Sequence, residues 1–343
     1  MNKKLDLLVL SNVAPGARPF GAQGYFFREL GALAEQQGLS VGVADVLSGE
    51  NISDMQLYDV QGTPLGRNDS VGAYYDRLAA GWDRASSKPT RVALEDEERV
   101  FNPLHALDLM GDKLATYERL TAVKLPSPLT VSVEQVLASS STLDLLPDAL
   151  VLKPRSGSQG SGVKFVNRSG HSLAWDDGGK ITNSDLTGKL SNYLLQEDVG
   201  HPEILEVRTL VQRRGRTLTA IGSYAKVSKE GALGNISLGA QARSIQEIPE
   251  FPVQIPIDLI ETNAVAACLA IDECTTGELF EAGVDQAVTR EGASWILEVN
   301  GRPARFGFEL IARHASSFLE RKRYAAIRRA SVQSILDYAL DRN

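Results

Sequence analysis

The run VLKPRSGSQGSGVKFV, residues 151–166, constrains the fold more than any other part of the sequence. Two apolar segments with the length of β-strands flank a loop rich in glycine and serine. Such a loop presents backbone N–H groups with no side chains in front of them, which suits the phosphates of a nucleotide. Lys153 would add a positive charge at the loop's mouth. The candidate phosphate contacts here are Lys153, Ser156, Gly157, Ser158, Gly160, Ser161 and Gly162.

The pattern alone leaves a second interpretation open, which is a plain Gly/Ser-rich hairpin turn. The loop matches neither G-x-x-x-x-G-K-[ST] nor G-x-G-x-x-G, and a strand follows it where a P-loop would have a helix. A P-loop is therefore disfavoured. The first strand of the chain also lacks a following G-x-G-x-x-G, so a dinucleotide site is not expected there.

A second constellation lies in GVDQAVTREGASWILEVNGRP, residues 283–303, which reads as a hairpin turning at 290–292. Asp285 and Glu298 would face each other across the two arms, and Asn300 would share the face of Glu298. Three oxygen-bearing side chains suit Mg²⁺, with Mn²⁺ as the alternative ion. The other interpretation is a surface hairpin with scattered acids. Glu298 lies inside an apolar run, however, where an unpartnered charge is costly.

Composition excludes several classes of function. The net charge of −7 argues against a general nucleic-acid binder. No window is long and apolar enough for a membrane span, and the start MNKKLDLLVLSN is not followed by a signal-peptide cleavage site. Cys268 and Cys274 form neither a disulfide framework nor a zinc pattern. We therefore expect a cytoplasmic protein whose partners include no nucleic acid and no membrane.

Hydrophobic periodicity predicts a mixed α/β (α+β) chain. A strand at 5–10, a helix ending at Gly38 and a strand at 41–46 give a βαβ opening. A strand pair is predicted around the turn 214–216. Further helices are predicted at 104–122, 258–272 and 316–341. Residues 50–100 give no clear pattern.

The sequence resembles the ATP-grasp superfamily over about residues 104–310. The matching segments occur in the superfamily's order and are VLKPRSGSQGSGVKF, LLQEDV, EVRTLV, GNISLGAQAR, EAGVDQAV and WILEVNGRP. The N-terminal part is similar to the YheC/YheD family of endospore coat-associated, ATP-grasp-like proteins. Its matching positions are Tyr75, Arg77, Asn102 and Lys113.

The resemblance implies an ATP-grasp fold with an N-terminal pre-ATP-grasp α/β domain at 1–103. A linker helix and a lid subdomain would occupy 104–195, and a C-terminal subdomain with the metal site would occupy 196–343. ATP would lie between these last two parts.

The resemblance also assigns roles to residues. Lys113 and Lys153 would contact phosphates, and Gln196 and Glu197 would present the strand that reads adenine through backbone groups. Either Glu203 or Glu206 would hold the ribose hydroxyls. The remaining roles fall to a magnesium set and to two arginines that steady the acyl phosphate and the acceptor carboxylate. These residues are Asp285, Glu298 and Asn300 for the metal, and Arg208 and Arg243 for the substrates.

Two departures from the family pattern leave alternatives open. Glu206 and Arg208 stand where D-x-R is usual. Arg302 and Arg305 follow the EVN segment, and they could either reach an anionic substrate or form structural ion pairs. Lys226 and Asn235 are weaker candidates for contacts with the substrates.

The activity implied is an ATP- and Mg²⁺-dependent carboxylate–amine ligase that works through an acyl phosphate, on an amino acid or a small peptide. Its partners would be a small-molecule carboxylate and an amine, and a homodimer is left open. Two alternatives are a kinase on the same scaffold and a nucleotide-binding coat or assembly protein with little or no turnover.

Overall fold

The structure is a computed structural model. It describes residues 4–13, 18–49, 52–66, 70–78, 99–157, 160–201, 203–227, 240–248 and 255–342. The described residues form three β-sheets with helices between and around them.

The first sheet is the predicted α/β opening. Its strands are β1 Lys4–Ser11, β2 Val41–Asp45, β3 Gln56–Tyr58, β4 Pro64–Leu65 and β5 Ser70–Asp76, in the order β4-β3-β2-β1-β5. Strand β1 runs parallel to both β2 and β5, whereas β3 and β4 pair antiparallel. The helix α1, Gly24–Gln37, connects β1 to β2 and ends at Gly38 in the left-handed conformation. The predicted strand, helix and strand are confirmed.

The predicted helix over 104–122 is instead two helices, α2 Leu104–Gly111 and α3 Lys113–Ala122. Asp112 between them has an extended backbone, and its carboxylate accepts the N–H groups of Leu114 and Ala115 at 3.0 and 3.3 Å. A short acidic side chain competes with the helix for backbone donors, so it favours a cap over a helix interior. The break makes Lys113 the first residue of a new helix.

The second sheet is antiparallel and contains the glycine loop, which we define as residues 156–162. Its strands are β6 Thr130–Ser132, β7 Ala149–Pro154, β8 Lys164–Ser169, β9 Ser172–Trp175, β10 Lys180–Ile181 and β11 Tyr193–Glu197, in the order β10-β9-β8-β7-β11-β6. Two short helices, α4 Val133–Ala138 and α5 Asn183–Thr187, cover it. The loop therefore connects two neighbouring strands, as the sequence predicts.

The third sheet is also antiparallel. Its strands are β12 Leu205–Arg214, β13 Thr217–Val227, β14 Gln241–Arg243, β15 Glu281–Val288 and β16 Ser294–Asn300, in the order β14-β13-β12-β15-β16. Helix α6 Ile257–Asp272 precedes β15, and helices α7 Phe306–His314 and α8 Phe318–Leu340 follow β16. Both predicted hairpins and both predicted helices of this region are confirmed.

The layers share their hydrophobic cores. Leu7 and Val9 of β1 pack in one cluster with α1 and with Ile335 and Leu336 of α8. The other face of the first sheet packs with α2, α6 and the strands β15 and β16. The domain boundaries after 103 and 195 stay predictions.

A buried network of polar side chains joins the first sheet to the third. The Arg305 side chain is 0% exposed; it pairs with Glu281 and donates to the Tyr75 hydroxyl at 2.9 Å. Tyr75 donates to the other Glu281 oxygen at 2.6 Å, and Gln212 donates to Glu281 at 2.9 Å. Burial alone would lower the pKa of Arg305, but Glu281 raises it, so the guanidinium stays charged. Arg305 is thus a structural ion pair.

The residues before α7 are held by the N-terminal part of the chain. The Asn102 amide donates to the Gly301 carbonyl at 2.7 Å, and Arg77 donates to the Pro303 carbonyl at 2.7 Å. Arg302 pairs with Asp76 at the end of β5. The segment 301–305 therefore takes its position from side chains of the first sheet and from Asn102.

We predict that Arg305→Met lowers the free energy of unfolding by about 3–5 kcal/mol, because it leaves the Glu281 carboxylate buried without its cation. Urea unfolding followed by fluorescence measures the change. Arg290→Met, which removes the exposed ion pair with Glu203, is the control and should lose under about 1 kcal/mol. Equal losses in the two variants would contradict the structural role of Arg305.

Candidate active site

A cavity of about 300 Å³ lies between the second and third sheets. Most of the predicted site residues line it, although they come from distant parts of the chain. They are Lys113, Lys153, Gly157, Gly160, Ser161, Gln196, Glu197, Glu206, Arg208, Asp285, Glu298 and Asn300.

Other predicted site residues do not line the cavity. Ser156 and Gly162 lie exposed in the glycine loop. Glu203 is exposed and pairs with Arg290 at 3.2 Å. Arg243 is exposed on β14, where it bonds Gln241. Ser158 and Asn235 lie outside the described residues.

Lys113 reaches the cavity because Asp112 ends one helix and begins the next. From the first position of α3, its ammonium donates to the Gly157 carbonyl at 2.6 Å and lies 3.9 Å from a Glu298 oxygen. The lysine thus stands between the glycine loop and the carboxylates of the third sheet.

Lys153 is buried, and two groups hold its ammonium. Its ammonium donates to Gln196 at 2.8 Å, and the Gln196 amide in turn donates to Thr130 at 2.8 Å. It also lies 3.5 Å from the carbonyl of Leu297, a residue at a β-bulge between β15 and β16. Burial and, to a smaller extent, the neighbouring Lys113 outweigh the opposing effect of Glu298 and lower the pKa of Lys153 to about 8.

The glycine loop depends on its glycines for backbone conformation. Gly157 and Gly162 have φ values of 121° and 77°, a region that other residues rarely adopt. A Cβ at Gly162 would also lie 2.9 Å from the Tyr193 hydroxyl and 3.0 Å from Pro154. A side chain at that position would therefore force the loop away from β7 and β11.

The acid–amide set forms as the hairpin pattern predicts. Asp285 and Glu298 are direct partners in the β15–β16 ladder, and the Asn300 amide donates to Asp285 at 3.3 Å. Arg208 donates to both Asp285 oxygens, at 2.7 and 2.5 Å, and Lys226 lies 2.9 Å from one of them. Lys226, a weak candidate in the sequence, therefore belongs to the site.

Asp285 is ionised at neutral pH. Burial alone would raise the pKa of this carboxyl, but Arg208 and Lys226 outweigh burial and lower it to about 2. The carboxylate keeps acceptor sites besides those that the two cations use, because each oxygen has two lone pairs.

The donor chemistry of the set fits a divalent cation. Two carboxylates and an amide oxygen are hard ligands of the kind that Mg²⁺ uses. Within the described ranges no group of three or more His, Cys, Asp or Glu side chains could hold a metal ion. With two carboxylates and one amide oxygen, Asp285, Glu298 and Asn300 would hold such an ion together with phosphate oxygens and waters, which would complete the coordination.

An apolar wall closes one end of the cavity, and sequence reasoning missed it. Its side chains are Val151, Val163, Phe165, Val199, Ile204 and Leu297. Phe165 stacks on His201 with ring centroids 4.3 Å apart. The signal available was weak: Val151 lies two residues before Lys153 on one strand, so both share a face. The wall offers an apolar surface of the kind that binds an aromatic ring.

The strand β11, which carries Gln196 and Glu197, and the two ribose candidates also have defined places. Glu197 donates its backbone N–H to Leu129 at 2.8 Å and accepts the Leu129 N–H on its carboxylate at 3.1 Å. Glu206 lines the cavity beside Lys226, 3.4 Å away, whereas Glu203 does not line it.

At the other end the cavity is lined by Arg302, Ala304, Phe306 and Gly307. The Arg302 side chain keeps 26% of its surface exposed while it pairs with Asp76. A Cβ at Gly307 would lie 2.3 Å from the Tyr224 ring, so only glycine fits there. This end combines one arginine with aromatic rings.

The fold is that of ATP-grasp ligases. The D-alanine–D-alanine ligase from Coxiella burnetii matches with a TM-score of 0.58 and 12% identity, over 98% of this chain and 96% of that chain. The ATP-grasp ligase PsnB, complexed with a minimal precursor, matches with a TM-score of 0.55 and 16% identity, over 95% and 99% of the two chains.

The chain belongs to the YheC/D like ATP-grasp family, whose model matches residues 105–340. It is 26% identical to the endospore coat-associated protein YheD of Bacillus subtilis (strain 168), over 89% of this chain and 74% of that protein. The resemblance seen in the sequence is therefore confirmed.

Among the helices that the structure describes, none has both the length and the apolar character needed to cross a membrane. The cytoplasmic location stays a prediction.

We predict that ATP affinity falls as the pH rises above about 8, by up to about tenfold per pH unit. The protonated Lys153 attracts phosphate, and its pKa near 8 means that the ammonium is intact below this pH and lost above it. Calorimetric titration with ATP between pH 6.5 and 9.5 measures the change. In Lys153→Met the affinity should be weak throughout and the fall should vanish; a fall that persists would assign it to another group.

We predict that Glu206→Gln weakens ATP binding by about tenfold or more, because a carboxylate accepts hydrogen bonds from ribose hydroxyls more strongly than a neutral amide does. Glu203→Gln is the matched control and should leave the affinity unchanged, since Glu203 lies outside the cavity. The reverse result would assign the ribose to Glu203.

Proposed function

We propose that the protein is an ATP- and Mg²⁺-dependent ligase that joins a carboxylate to an amine through an acyl phosphate, acting on an amino acid or a small peptide. One observation carries this proposal. Lys113, Lys153 and the set of Asp285, Glu298 and Asn300 converge on a single cavity beside a glycine loop. Two cations for phosphates and oxygen ligands for a metal are the elements that phosphoryl transfer needs.

The chemistry has two balanced steps. A substrate carboxylate oxygen attacks the γ-phosphorus of ATP, the bond from that phosphorus to the bridging oxygen breaks, and ADP leaves. The amine nitrogen then attacks the acyl carbon, phosphate leaves with the bonding pair, and the nitrogen loses a proton. Mg²⁺ held by Asp285, Glu298 and Asn300 would supply charge neutralisation at the phosphate oxygens.

The chain's own residues supply positioning and charge. Lys113 and Lys153 attract the phosphate oxygens from the helix and strand sides of the cavity. Arg208 and Lys226 hold Asp285 as a carboxylate at a fixed place, so little reorganisation is needed when the nucleotide binds.

The position of Arg302 favours a substrate that carries an anionic group. It faces the cavity next to the metal set, and its guanidinium suits a carboxylate. Phe306 and Tyr224 beside it favour an apolar portion of the same molecule. An amino acid or the end of a peptide has both features.

A second candidate is a nucleotide-binding assembly protein with little or no turnover. The observation that favours it is the relative at 26% identity, which is named an endospore coat-associated protein. A kinase on the same scaffold differs from the ligase only in its product. A homodimer stays a prediction.

The test is a screen for ADP release over pairs of carboxylates and amines, with Mg²⁺ present. We expect one pair to give ADP and phosphate only when both substrates are added. Glu298→Gln should lower that rate by about 10²–10³-fold, because it weakens charge stabilisation at the transferring phosphate. Glu203→Gln is the control and should retain the rate.

Two outcomes would replace the ligase proposal. ADP release with a stable phosphorylated product and no need for an amine would identify a kinase. Tight ATP binding without ADP release from any pair would support the assembly role.

A further inference from the structure

Asp112 and Arg155 form a two-pronged ion pair beside the cavity. The Arg155 Nε donates to the Asp112 oxygens at 2.9 and 3.0 Å, and its Nη2 donates to Asp112 Oδ2 at 2.7 Å. Neither side chain lines the cavity, so neither would contact a bound nucleotide. Paired donors of this kind fix direction as well as distance.

The pair joins the two elements that carry the phosphate-binding lysines. Asp112 immediately precedes Lys113 at the start of α3. Arg155 lies two residues after Lys153 and directly follows the last residue of β7. A backbone bond from the Lys113 N–H to the Arg155 carbonyl, at 3.1 Å, runs alongside the ion pair. The helix end and the strand end are thus connected at one place.

One carboxylate performs two tasks here. Asp112 Oδ1 accepts the capping N–H groups of α3 and also the Arg155 Nε. The hydrogen bonds that Arg155 donates to Asp112 raise the pKa of Arg155. Burial would raise the pKa of Asp112, but the bonds from Arg155 lower it, so both groups stay charged. A movement of Arg155 would therefore also move the first turn of the helix.

We propose that Asp112 and Arg155 are positioning residues that hold Lys113 at the correct distance from Lys153 for binding the phosphates of a nucleotide. This inference rests on the proposed function to the extent that the cavity must bind a nucleotide. It predicts an effect on the phosphate part of the ligand and none on the adenosine part.

The test compares the affinities of Arg155→Met and the natural protein for ATP and for adenosine, by calorimetry at fixed salt. We expect ATP affinity to fall about threefold to tenfold, while adenosine affinity stays within twofold. Asp112→Asn keeps an amide oxygen that can cap α3, so it should fold and show the same selective loss.

Arg119→Met is the matched control, since it removes another arginine–carboxylate pair of the same helix, with Glu273, far from Lys113 along α3. It should leave both affinities unchanged. Arg155→Lys should recover part of the lost ATP affinity, because it restores a charge without the paired geometry.

The outcomes separate this inference from the proposed function. If Arg155→Met and Asp112→Asn lose equal affinity for ATP and for adenosine, the positioning role is overturned. It is also overturned if neither variant loses ATP affinity. Both results leave the ligase proposal intact. A natural protein that does not prefer ATP over adenosine would overturn both. Amine-dependent ADP release with a selective ATP loss in both variants would support both.

Discussion

The architecture depends on the buried pairing of Arg305 with Glu281. A guanidinium wholly removed from water is tolerated only with a charged partner and further hydrogen bonds. Tyr75 and Ser331 accept hydrogen bonds from Arg305, and Gln212 donates one to Glu281. These partners come from the first sheet, the third sheet and the last helix. Because the segment 301–305 begins where β16 ends, the same network sets one wall of the cavity.

The charges of the cavity are arranged so that each carries out a distinct task. Asp285 is surrounded by cations and stays ionised, whereas Lys153 is desolvated and its pKa is lowered to about 8. The negative charge of Asp285 on the third sheet is therefore fixed, whereas the positive charge of Lys153 on the second sheet depends on pH. A bound polyanion would meet preset dipoles and cations rather than water that must first reorganise.

Short-range sequence patterns predicted many of the residues that line the cavity, but they predicted less of the structure around them. The hairpin of Asp285 and Glu298 and the loop after Lys153 could be read because strand alternation and turn residues act over a few positions. The helix break at Asp112 could have been predicted, because an acidic residue inside a helical pattern favours a cap. The prediction of one helix followed the hydrophobic periodicity instead. The apolar wall around Phe165 and the exposed place of Arg243 could not be read, because each depends on how separate sheets pack.

The place of α8 has a consequence for synthesis of the chain. Its residues Ile335 and Leu336 complete the same core as β1, which is translated long before them. The parallel strands and α1 are thus made before α8, and the part of their apolar surface that α8 covers stays open until Ile335 and Leu336 have been translated. Until then that surface is open to non-native contacts, so chaperones that bind nascent chains would find their target on the strands β1, β2 and β5.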